Sequence, residues 1–170
     1  MRRRLRPMGF VLALAGILPS CQGRNAVRSN DAAAQIVELV TERWPNGHLR
    51  LRKEVVRESD GALVDHGRYI RWHENGRKSY QATFQHGRKV GVATRWHKNG
   101  NKWREERYVD GDRHGVSRMW NEEGVLIKEE RYSVGKPHGT WTVWKEGRIR
   151  WQGHFKNGKA VKPEDAPPNE

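Results

Sequence analysis

Residues 96–120 read Trp96-His97-Lys98-Asn99-Gly100-Asn101-Lys102-Trp103-Arg104-Glu105-Glu106-Arg107-Tyr108-Val109-Asp110-Gly111-Asp112-Arg113-His114-Gly115-Val116-Ser117-Arg118-Met119-Trp120, and the closing Trp opens another copy of the pattern. Trp72, Trp96, Trp120 and Trp144 are each 24 residues apart. Gly67, Gly91, Gly115 and Gly139 stand five residues before them, and Gly76, Gly100 and Gly124 stand four residues after the first three. A further series, Gly87, Gly111 and Gly135, ends one residue early at Gly158; Phe84, Tyr108, Tyr132 and Phe155 lie three residues before those glycines. A fixed period of this length marks a repeat architecture, in which each unit buries its apolar face only against its neighbours.

Each unit reads as two strands and two turns. Asn46-Gly47, Asn75-Gly76 and Asn99-Gly100 are strong signals for a two-residue type I′ hairpin, because both residues accept a positive φ. Glu123-Gly124 and Glu146-Gly147 hold the same place. From Gly87, Gly111 and Gly135 to the glycine four residues on, longer turns are expected. Val92, Thr94 and Trp96 alternate onto one face, as do Val116, Arg118 and Trp120. The in-phase Trp rings should therefore stack along the sheet, two strand spacings or ~9.5 Å apart, with one side chain between them. The expected fold is all-β: an elongated single-layer antiparallel sheet of about four to five tandem hairpins over residues 35–160.

Ile36 to Trp72 forms a degenerate first unit, in which Trp44 precedes Trp72 by 28 residues and the four extra residues enlarge the loop from Glu58 to His66. A helix over Ala32–Arg43, capped by Asn30-Asp31, competes with a strand from about Gln35. The strand is preferred because Ile36, Val37, Val40 and Thr41 are β-branched and a turn follows in repeat phase.

The hydrophobic fraction is 35%, below the ~45–50% of ordinary globular domains, which argues against a thick core. Eight Trp and 18 Gly suit a thin sheet whose few large rings supply the apolar area.

Residues 1–20 have the layout of a secretory signal: Arg2-Arg3-Arg4, an apolar run from Phe10 to Leu18, then Pro19-Ser20-Cys21. That run falls short of the ~20 apolar residues a membrane span needs. Leu18-Pro19-Ser20-Cys21 resembles the bacterial lipobox, which implies lipid attachment at Cys21, membrane anchoring and export. Gln22 rather than Asp after the Cys resembles outer-membrane sorting. Residues 21–34 read as a flexible tether and 161–170 as a disordered tail. Removing Arg2, Arg3, Arg4 and Arg6 with the signal leaves +9 of the formal +13.

The Trp-x-x-Asn-Gly turn, the aromatic before a Gly and the Lys/Arg-x-x-Gly return resemble the MORN repeat, in the variant found in exported bacterial proteins and in proteins described as antitoxin-like. The segment from Tyr132 to Trp141 carries aromatic-x-x-Gly-Lys-x-x-Gly-x-Trp. The resemblance implies a sheet of hairpins that scaffolds protein or lipid contacts, with no catalytic residues.

The residues taken singly point the same way. His66, His73, His97, His114 and His138 fall at repeat positions rather than in a ligand set, so no metal or cofactor is expected. Glu105-Glu106 and Glu129-Glu130 point to opposite faces as strand neighbours and are expected to be solvated opposite Lys and Arg. No nucleophile elbow or phosphate loop is present in the sequence.

Three roles remain: a membrane-anchored scaffold for a protein partner, a binder of polyanions, and an antitoxin-like or immunity protein. Export makes nucleic acid an unlikely partner. Trp103, Met119, Trp141 and Trp151 break the repeat pattern, so they are candidate contacts; patching of the sheet is the alternative.

Overall fold

The computed structural model describes residues 37–162. The signal segment, Cys21, the tether and residues 163–170 of the tail lie outside the described residues.

Strands follow one another directly: β1 (Val37–Arg43), β2 (Leu49–Arg57), β3 (Leu63–Trp72), β4 (Lys78–Gln85), β5 (Arg88–Trp96) and β6 (Lys102–Val109). The next two return strands are each broken once, into β7 (Asp112–Arg113) with β8 (Gly115–Trp120), and β10 (Lys136–Pro137) with β11 (Gly139–Lys145). β9 (Leu126–Ser133) lies between those pairs, and β12 (Arg148–Lys156) and β13 (Lys159–Val161) complete the series. All pair antiparallel with their chain neighbours in one open sheet, β1-β2-β3-β4-β5-β6-β8-β9-β11-β12-β13, with β7 on β6 and β10 on β9. No helix occurs among the described residues. β1 pairs with β2 from Val37↔Val56 to Arg43↔Leu49, so residues 37–43 follow the strand reading rather than the helical one.

The two turn types are the reverse of those expected. At Asn46-Gly47, Asn75-Gly76 and Asn99-Gly100 only the glycine has positive φ. Trp44 N–H bonds His48 O and Gly47 N–H bonds Trp44 O, and the same pair of bonds recurs at His73, His97 and Asn121. This is the three-residue hairpin in which a type I turn is followed by a left-handed glycine bulge. Pro45 marks it in the sequence, since its fixed φ suits the first central residue of a type I turn. The type I′ turns sit at the opposite end of each unit, where His86-Gly87, Asp110-Gly111 and Val134-Gly135 have positive φ at both residues. The flanking residues pair directly, as in Gln85↔Arg88 and Val109↔Asp112. Glu146-Gly147 is also of this kind, one residue shorter than the bulged turn it replaces, which is why Gly158 arrives early.

Gly67, Gly91, Gly115 and Gly139 are therefore not turn ends but kinks inside the return strands, each at positive φ. Pairing slips at these points, for instance between Gln81↔Thr94 and Thr83↔Val90. At Gly67 a Cβ would collide with Glu54, whose Oε2 accepts the Arg68 N–H at 2.8 Å. The extra residues of the first unit form a tight turn closed by Glu58 N–H on Ala62 O and lengthen β3, rather than an open loop.

The buried face is not the Trp face. Ala82, Ala93 and Tyr108 form the buried cluster, with Tyr80 and Phe84 packed against it; Tyr132, Leu51, Val55 and Val56 are also buried. Val92, expected to share a face with Trp96, is exposed, and Trp72, Trp96, Trp120 and Trp144 are half-buried, Trp72 also bordering the groove that Tyr80 and Arg95 line. Their ladder has the expected single intervening side chain, a lysine in the first two rungs and Leu126, opposite Trp120, in the third. Lys78 lies opposite Trp72 with its Nζ 6.0 Å from the Trp96 ring; Lys102 lies opposite Trp96 with its Nζ 5.7 Å from the Trp120 ring. Long aliphatic stems between rings cover apolar surface while the ammonium stays in water.

Candidate functional site

Cross-strand partners share a face, and successive inward places of each outgoing strand, opposite the Trp ladder, carry the chemistry. On β4 they are Tyr80, Ala82 and Phe84; on β6, Arg104, Glu106 and Tyr108; on β9, Lys128, Glu130 and Tyr132. Glu106 and Glu130, expected in solvent, are each only 5% exposed. Their strand neighbours Glu105 and Glu129 point the other way, as alternation requires, and pair with Lys102 and Arg118.

A carboxylate this deep must be paired and hydrogen-bonded or its desolvation would unfold the strand. Glu106 receives Arg95 Nη1 at 3.0 Å and Tyr108 OH at 3.1 Å, with Arg104 Nε 3.1 Å away but not aligned for a hydrogen bond. Glu130 receives Arg104 Nη2 at 2.8 Å and Tyr132 OH at 3.2 Å, with Lys128 Nζ at 2.6 Å. Arg104 thus joins the carboxylates of two successive units. Burial, then the adjoining glutamate, raises the pKa of both Tyr108 and Tyr132.

Rings and cations alternate across the same face. Arg95 lies 5.2 Å from the Tyr80 ring centroid, Lys89 4.8 Å from Tyr108, Arg113 4.0 Å from Tyr132 and Lys128 5.2 Å from Trp141. Tyr69 packs against Tyr80 and Phe84 at 5.9 and 5.4 Å. These rings, with Arg71, Lys89 and Arg95, line a groove of about 660 Å³. The Tyr80 hydroxyl is buried without a hydrogen-bond partner, and burial pushes its pKa up to about 12.

At the bulged-turn edge, side chains tie each unit to the next. Trp44 Nε1 donates to Trp72 O at 3.2 Å; His73 and His97, through Nε2, bond Trp96 O and Trp120 O, both at 3.0 Å. Each turn asparagine works twice: Asn75 Oδ1 accepts the Arg77 N–H of its own turn while Nδ2 donates to Lys98 O of the next, and Asn99 repeats this with Asn101 and Glu122. Two of the repeat histidines are thereby committed to backbone carbonyls. No group of three or more potential metal ligands occurs among the described residues.

Of the out-of-phase residues, Trp141 and Trp151 are brought together through Phe155, at 4.7 and 6.4 Å. Met119, opposite Arg104 and Lys128, shares their face. Trp103 stands apart from this group, at the bulge after Lys102, 42% exposed and 6.1 Å from the His97 ring. Sequence reasoning missed the glutamate network, although the signal was present: Glu106 and Glu130 sit two residues before the in-phase tyrosines, hence on their face.

A single open sheet of hairpins, stitched edge to edge and carrying a ring-and-cation face, defines a tandem-repeat binding module. Residues 65–86 and 89–110 match the family described as MORN repeat variant, in the 24-residue phase of the turns, so that residues 65–110 carry two such repeats. No curated protein matches the chain. An all-β fold of MORN repeats is typically a non-catalytic binding module.

Proposed function

We propose that the chain is a non-enzymatic scaffold, lipid-anchored through Cys21 in a bacterial envelope, that binds a protein partner on its ring-and-cation face. The observation that supports it most is the inward face of β3–β9: tyrosines, arginines and lysines dominate, and Arg and Tyr are the residue types that carry most interface energy. Acyl chains on Cys21 would hold the module at a membrane, at ~0.8 kcal/mol per buried CH₂.

Crosslinking in intact cells, followed by identification of what is attached, tests the reading. A discrete protein adduct, reduced when Trp141 and Trp151 are changed to Ala, is expected. Membrane fractionation of Cys21→Ala tests the anchor separately: the variant should leave the membrane fraction, and unchanged association would remove lipidation from the proposal.

A further inference from the structure

The face holds more positive charge than the fold neutralises. Arg95, Arg104, Arg113, Lys128 and Lys89 surround two carboxylates, Glu106 and Glu130. Arg71 and Lys89 line the groove and make no ion pair with any described residue. Lys89 is partly desolvated over the Tyr108 ring, and that burial, with Arg95 nearby, lowers its pKa. A partly desolvated cation without an ion-pair partner, lying over a ring at the edge of a groove, is a half-built anion site.

The spacing of the cations narrows the ligand. Arg71 and Arg95 occupy the same place in successive units, as do Lys89 and Arg113. Equivalent places lie two strand spacings apart, about 9.5 Å. One turn of a polyproline II helix, three residues at 3.1 Å rise, advances about 9.3 Å. An extended β-peptide would put every third side chain on the opposite face, whereas polyproline II brings each third side chain back to the same one. Tyr69, Tyr80 and Phe84 supply the ring-lined groove on which proline-rich segments dock. Asp65, Glu106 and Glu130 interrupt the cations, so spaced acids fit the face better than an unbroken phosphate chain.

We propose that this groove docks an acidic, proline-rich segment of the partner in polyproline II conformation, lying across β3 to β7 with an acid on every third residue. It rests on the scaffold reading above and names the partner's chemistry.

The test is fluorescence anisotropy on the full chain with a labelled peptide of Glu-Pro-Pro triplets, against the same composition with its glutamates bunched at one end and against Glu-Gly-Ser triplets. The triplet peptide should bind about tenfold more tightly than either control, and binding should weaken as salt rises. Lys89→Gln and Arg71→Gln should each lower affinity about fivefold, the worth of one exposed ion pair, with unchanged circular dichroism and melting. Equal affinity for the bunched peptide, or full affinity in a folded Lys89→Gln protein, overturns the proposal. Polyphosphate or anionic vesicles displacing the peptide at lower charge concentration would overturn it too. If cells yield a protein adduct while the triplet peptide does not bind, this inference falls and the scaffold reading stands.

Discussion

On β4 the inward places hold Tyr80, Ala82 and Phe84; on β6, 24 residues later, they hold Arg104, Glu106 and Tyr108. Both strands lie in the same sheet, between the same kinds of turn, and both enclose their middle residue, Ala82 at 2% exposure and Glu106 at 5%. One interior is sealed by rings and a methyl group, the other by ion pairs. The backbone of a unit is thus set by its turns and kinks, which recur, while the inward positions are free to vary in chemistry. This is how a repeat scaffold acquires a specific surface without a new fold.

The sharpest way to break the comparison is at Arg104. Arg104→Met takes one cation from each of Glu106 and Glu130, which keep Arg95 and Lys128, and should cost about 2–3 kcal/mol in urea unfolding, the worth of a hydrogen bond to a buried charged group. The β4 equivalent, Tyr80→Met, strands no charge and should cost less than half as much. Equal losses at the two sites would mean that the ionic interior is solvated after all.

The turns come next. Asp110-Gly111 is a type I′ turn, so Gly111→Ala forces a left-handed residue and should cost about 1–2 kcal/mol. Asn99→Ala loses its bonds to Asn101 N–H and Glu122 O and should cost about 1 kcal/mol. Glu123 already lacks this side chain in the following unit, so Glu123→Asn should recover part of that stability on thermal melting.

These turns also show how far the sequence can be read. The period, the strands and the single sheet were legible because Trp and Gly recur at fixed intervals. The turn types were not, because an Asn-Gly pair suits both a type I′ turn and a type I turn with a glycine bulge; Pro45 and Asp110-Gly111 held the distinction. The enclosed face is not legible from ring size, because the Trp ladder is only half-covered, in part by lysine stems, while the small Ala93 is buried. The glutamates were expected in solvent because a carboxylate's burial depends on partners from other strands, Arg95 and Arg104, that only the register brings together.

The smallest effect is expected at Tyr80 itself. Its pKa rises from 10.0 to about 12 through burial, so the protonated form is favoured in the fold. The unfolded chain ionises first, and stability should hold below pH 10 and fall as pH climbs toward 12. Tyr80→Phe should flatten that decline and, by removing an unpartnered buried hydroxyl, change neutral-pH stability by no more than about 0.5 kcal/mol. A steeper alkaline loss in the variant would contradict the burial of this ring.

The bridging of adjacent units by one arginine is tested most directly by a double-mutant cycle between Arg104→Met and Glu130→Gln, followed by urea unfolding. A coupling of about 1.5 kcal/mol or more is expected for groups 2.8 Å apart and largely out of water. Additive losses, with a coupling near zero, would contradict a buried ionic face joining one hairpin to the next.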